Sequence, residues 1–177
     1  YLPGSDSYLK KNEKDGFFEE RVYVGYNQVA IFVKKGNPKN ITSLEDFTNE
    51  EYASVICNPK SGSIGRMSKK ILTKYKGEDY FYDVFDMAAE IGTDSRSLNN
   101  SLQKPQIDMT LNWKATAYFD KNIENITVVE IDEKYSQKKK LVLTQLSFSK
   151  NKELAKKFLV YAGSDEGTTI MKKYGFR

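Results

Sequence analysis

Residues 58–66, NPKSGSIGR, are small, polar and glycine-rich, and a helical pattern starts directly behind them. An apolar run, YASVIC (52–57), stands in front, so the reading is strand, loop, helix. The first turn of a helix carries backbone N–H groups without intrahelical partners, at the positive end of the helix dipole. Ser61, Gly62, Ser63 and Gly65 leave that backbone open to an anion, and the serine hydroxyls are further donors. Arg66 can add charge or equally point to solvent. The stretch is not a Walker A loop, which needs G-x-x-x-x-G-K-[ST]. A tight turn with ordinary helix capping accounts for it as well as an anion site does.

A second segment of the same kind is TDSRS (93–97), which also follows an expected strand and opens a helix, with Ser95 and Arg96 at its start. Two helix N-termini at the C-terminal edge of one sheet can converge on one ligand, the position where open α/β sheets bind. Trp113, the sole tryptophan, ends the expected strand QIDMTLNW (106–113). Its indole N–H donates and accepts nothing, which suits an anion; a packed aromatic fits equally.

Other chemistry is limited by composition. The chain has no histidine and one cysteine, Cys57. That excludes an intrachain disulfide and, for practical purposes, a structural zinc site, a Ser-His-Asp triad and a Cys-His pair. Cys57 closes the apolar run SVIC and reads as a small buried residue. Asp94, Asp108 and Asp132 could supply an acid/base pair, but they fall at strand and helix ends, where capping or solvated acids are ordinary. The reading is therefore a binding site without catalytic residues, metal or cofactor. The net charge is +4, from 28 Lys+Arg against 24 Asp+Glu, with lysines scattered among glutamates. That is a solvated surface; no aromatic-interleaved basic stripe speaks for nucleic acid. No apolar run approaches the ~20 residues of a membrane span.

The elements that would position these residues alternate. A short helix is expected over 5–16, and two extended stretches over 21–38 break near Gly25, with Val29 to Lys34 the stronger. Ser43 opens a short helix with SLED as a capping box. A helix over 63–77 carries Ile64, Met67, Ile71 and Leu72 on one face and stops at Gly77. Residues 80–92 read as a helix turning into a strand, and 93–105 as a helix. Strands follow at 106–113, 126–132 and 139–150, with a short helix at KATAYFD and two helices over 151–176 joined at Gly163-Ser164. The alternation predicts an α/β fold with a largely parallel sheet covered on both faces.

Three stretches carry a resemblance. VAIFVKKGNPKNITSLEDF, NPKSGSIGR and the ending SKNKELAKKFLVYAGSDEGTTIMKKYGF resemble, in this order, the periplasmic molybdate/tungstate-type solute-binding proteins of ABC importers. These belong to the type II periplasmic-binding-protein superfamily. The resemblance runs nearly the whole chain, and KGNPKNITSLEDF and SDEGTTIMKKYGF are its most specific parts. It implies a two-lobed α/β fold with mixed or parallel sheets and ligand held between the lobes. Residues 1–28 and 147–177 would belong to the first lobe, 29–35 and 141–146 to crossover (hinge) strands, and 36–140 to the second lobe. The family's first lobe starts roughly fifty residues earlier, judged from typical domain size, so the resemblance implies an N-terminally truncated chain with an incomplete first lobe.

Carried over by position, Ile64 would offer a backbone N–H from the loop and Ser95 one from the second helix start, with Trp113 where the family has a tyrosine. Tryptophan for tyrosine, and a serine hydroxyl where molybdate binders tend to be apolar, open the site to sulfate or a larger anionic solute. The implied partners are a small anionic ligand and a membrane permease, and the implied location is periplasmic or extracytoplasmic. A ligand-sensing domain of a regulator built on the same fold is the alternative, as is a receptor for an organic anion. A site of neutral donors also implies affinity nearly constant between about pH 6 and 8.

Overall fold

β-branched and aromatic residues make the two extended stretches into strands β1 (Phe18–Asn27) and β2 (Val29–Lys34). The structure, a computed structural model, describes residues 1–4 and 7–176. The chain divides into two compact units, Tyr1–Asn27 with Lys138–Arg177, and Gln28–Gln137.

The second unit is built on a five-stranded sheet. To β2 it adds β3 (Ser54–Cys57), β4 (Glu90–Gly92), β5 (Met109–Trp113) and β6 (Ile126–Val129), in the order β4-β3-β5-β2-β6. β3 runs parallel to β4 and β5, whereas β2 is antiparallel to both β5 and β6. The expected largely parallel sheet is thus a mixed one. Strand direction depends on which distant strand is paired, and β2 lies between two strands that come some eighty or more residues later, as its pairing of Val29 with Trp113 and Lys34 with Ile126 records.

All residues of β3 and β5 are buried. Successive side chains of a strand point to opposite faces, so both faces of the sheet are covered. Helices α2 (Ser63–Lys76), α3 (Glu78–Met87) and α4 (Ser95–Leu102) supply the cover. Ile64, Ile71 and Leu72 of α2 and Leu98 of α4 are fully buried against Phe32, Ile56 and Met109 of the sheet. Each such side chain contributes about 1.5–3 kcal/mol by leaving water. The expected capping box is present ahead of the 3-10 segment Leu44–Thr48: the Glu45 N–H donates to Ser43 Oγ, and the Ser43 N–H donates to Asp46 Oδ2. A second 3-10 series, Lys114–Glu124, is broken at Phe119 to Lys121, where Asp120 and Lys121 are left-handed.

In the first unit β1 pairs antiparallel with β7 (Lys139–Leu146). Helices α5 (Lys152–Ala162) and α6 (Asp165–Lys173) pack on this pair and meet at Gly163, whose close approach to Val22 leaves no room for a Cβ. Helix α1 (Ser7–Lys11) is shorter than expected, and the expected start at Ser5 and Asp6 lies outside the described residues. The buried cluster of this unit is small: Val24, Leu141, Leu143 and Leu159. Leu154, Phe158 and Val160 of α5 stay exposed. Two grooves of about 270 and 220 Å³ run beside Phe158.

Candidate functional site

The loop after β3 is folded by its own polar side chains. Asn58 donates its N–H to Gly92 O (2.9 Å) at the end of β4, and its Oδ1 accepts from the Lys60 N–H (2.9 Å). Ser61 Oγ lies 2.8 Å from Thr93 O and 3.0 Å from Asn58 O, so its hydroxyl ties the loop to the segment leading into α4. Gly62 caps α2 in an extended conformation and offers no side chain. A Cβ on Gly62 would sit 3.0 Å from Thr93 O, and one on Gly65 only 2.2 Å from Asn58 O. At Gly65 backbone passes over backbone and only glycine fits, whereas at Gly62 a Cβ would press on Thr93 O and force a small shift.

The N–H groups at the start of α2 then divide in two. The Gly65 N–H faces the Cys57 thiol. Burial pushes that thiol above its ordinary pKa, and the bonds from Ser61 and the Gly65 N–H oppose the shift in part. The N–H groups of Gly62, Ser63 and Ile64 make no hydrogen bond among the described residues.

Helix α4 is capped more heavily. Asp94 Oδ1 accepts from the N–H groups of Arg96 and Ser97, both at 2.9 Å. Ser97 Oγ accepts from Thr93 N and Asp94 N, at 3.0 and 3.1 Å. The Ser95 N–H alone of this turn is left without a partner among the described residues.

A buried amide network holds α4 to β5. Asn112 Nδ2 donates to Ser95 O (2.9 Å) and to Asn99 Oδ1 (2.8 Å), and Asn99 Nδ2 donates to Thr116 O (3.0 Å). Trp113, 8% exposed, donates its Nε1–H to Ser63 Oγ at 3.4 Å. An indole N–H can only donate, so Ser63 Oγ is the acceptor there and its own proton points elsewhere.

These elements enclose a cavity of about 360 Å³. Of the residues singled out in the sequence, Gly62, Ser63, Ile64, Ser95 and Arg96 line it together. Ser61, Gly65 and Trp113 do not line it: Ser61 latches the loop, Gly65 packs under it and Trp113 stands behind Ser63. The sequence reading did not place Asp94, Asn99, Thr116, Phe119 and Asn122 in the binding set, and they complete the lining. Asn99 had a signal, since it stands four residues after Ser95 on the same helix face. Thr116 and Asn122 lie in the broken 3-10 series and had none. The open N–H groups, the Ser63 hydroxyl and the Arg96 guanidinium make the cavity an acceptor-seeking, anion-compatible site. Among the described residues no group of His, Cys, Asp and Glu could hold a metal ion, and no helix is long and apolar enough to cross a membrane.

A mixed sheet with two helix N-termini opening onto one polar cavity leaves room for a small solute. The sequence profile of the bacterial extracellular solute-binding proteins matches residues 1–177, and the chain belongs to that family. It is 25% identical over 153 residues to YvgL of Bacillus subtilis (strain 168), whose name places it among ABC transporter substrate-binding lipoproteins. That match takes in 85% of this chain and 55% of YvgL, so the chain spans about half of that relative's length. Among solved structures, the periplasmic molybdate-binding protein of Azotobacter vinelandii superposes with a TM-score of 0.75 at 11% identity, over 99% of this chain and 76% of that one. PEB3 with bound L-phospholactate superposes with a TM-score of 0.76 at 19% identity, over 99% and 78%. At these identities the likeness is one of fold: an α/β periplasmic-binding-protein fold with a mixed sheet.

Proposed function

We propose that the protein is the extracytoplasmic receptor of an ABC importer, that it performs no catalysis, and that it binds an oxyanion of the molybdate, tungstate or sulfate kind at the cavity of the second unit. The observation that carries this reading is the set of open N–H groups at Gly62, Ser63, Ile64 and Ser95 around one cavity. Helix dipoles and such donors hold an oxyanion without a dedicated counter-charge. Ser63 adds its hydroxyl and Arg96 its guanidinium, while Ser61, Gly65 and Trp113 fix the loop that presents the donors. In this reading the two units are the two lobes of the receptor, residues 29–35 and 141–146 are its crossover strands, and a membrane permease is its partner.

Support comes from family membership, from the lipoprotein name of the relative YvgL, and from the molybdate ligand named for a protein of the same fold. Calorimetric titration with molybdate, tungstate, sulfate and phosphate tests the reading. Saturable one-to-one binding without turnover is expected for at least one oxyanion. Heat from none of them, or conversion of a ligand, would refute it.

A further inference from the structure

The cavity has more room, and a different polarity, than a bare tetrahedral oxyanion uses. Such an ion has five heavy atoms and displaces about two or three waters, roughly 60–90 Å³ at ~30 Å³ per water. The cavity holds about 360 Å³, within the range of pockets that take organic ligands. The ring of Phe119, 48% exposed, lines it and offers apolar surface to a carbon skeleton.

The donors are also not alone. Asp94 lines the same cavity. Its Oδ1 is occupied by the Arg96 and Ser97 N–H groups, whereas its Oδ2 makes no hydrogen bond among the described residues. A carboxylate oxygen only accepts. Sulfate and molybdate offer nothing but acceptors, so either would face Asp94 with like charge and no hydrogen bond.

We propose that Asp94 is a specificity-determining residue and that the ligand is an organic phosphate bearing a hydroxyl group, with its phosphate on the Gly62–Ile64 and Ser95 donors and its hydroxyl donating to Asp94 Oδ2. The proposal rests on the receptor reading above and on its N–H donors, and puts an organic phosphate in place of the bare oxyanion.

Calorimetry on the full chain uses sn-glycerol 3-phosphate as the probe, propyl phosphate as its counterpart without hydroxyls, and sulfate and molybdate as bare ions. Glycerol 3-phosphate is expected to bind at least tenfold more tightly than propyl phosphate and than either ion. Asp94→Asn keeps an N-cap of equal quality, so the helix start survives. The variant is expected to lose most of the preference for the hydroxylated phosphate and to bind sulfate more tightly. A residue that only caps α4 would move neither ratio. The wild-type ratio of the two organic phosphates stands even where the variant folds poorly. Sulfate or molybdate binding more tightly than glycerol 3-phosphate would overturn this inference and leave the oxyanion receptor standing. Absence of binding by all four would overturn both.

Discussion

Replacing Gly65 with alanine puts a methyl group 2.2 Å from Asn58 O and 2.9 Å from Cys57 O. Ordinary contact requires well over 3 Å, so the loop or the helix must move by about an ångström. Helix α2 cannot move freely, because Ile64, Ile71 and Leu72 are buried with essentially no exposure. The loop cannot either, since Asn58 is tied to Gly92 O and Ser61 to Thr93 O. Overpacking of this kind costs typically up to about 3 kcal/mol, which for a chain of this size is roughly 6–12 °C in Tm. The same shift displaces the Ser63 and Ile64 N–H groups, so anion affinity should fall at least tenfold. Gly4→Ala is the control, because a Cβ there meets nothing within 4 Å. Thermal unfolding and calorimetry read both effects. A Gly65→Ala protein as stable as Gly4→Ala, with unchanged affinity, would refute the claim that close backbone packing builds the loop.

Ser43→Ala removes the capping box ahead of Leu44–Thr48 and should cost about 1 kcal/mol in denaturant unfolding, with no change in anion affinity. Hydrogen bonds from Lys76 first, then Tyr75, hold Glu45 below the usual carboxylate range, and the hydrogen bond to Glu45 in turn raises Lys76. The Glu45 contribution is present above its unfolded pKa and lost as pH falls through the depressed value, while that of Lys76 is lost only as pH rises through its raised one. The contribution of this pair should therefore stay constant from about pH 5 to 10 and fade outside that window, which the Tm difference between wild type and Glu45→Gln measured against pH checks. Cys57 should react with a thiol reagent far more slowly in the native protein than in denaturant, since the side chain is buried. The two grooves beside Phe158 and the exposed Leu154 and Val160 should make this chain associate as concentration rises, and sedimentation showing one monomeric species throughout would contradict that.

Local signals in the sequence carried the helices and their starts. Ser43, Gly65 and Gly77 act on neighbours a few residues away, and the structure has them doing so, whereas Gly163 is required by Val22 far along the chain. Strand direction did not follow from the pattern. VAIFVK reads as a buried strand whichever way it pairs, and its antiparallel place between β5 and β6 is decided by residues far along the chain. The candidate site divides in the same way. Two strand-loop-helix starts identify Ser63, Ile64 and Ser95 locally. The partners of Ser61 and Trp113 are set by Thr93 and Ser63, which only the fold brings near. Asn112 shows the limit most clearly. It is fully buried between α4 and β5 and organises Ser95 and Asn99, yet in the sequence it is one polar residue inside a strand.

Amide resonances followed during anion titration test the central claim most directly. The account predicts that the backbone N–H signals of Ser63, Ile64 and Ser95 shift most and saturate at the calorimetric Kd, while that of Gly65, which does not line the cavity, moves less. An anion that binds tightly and leaves those three signals unmoved would contradict it.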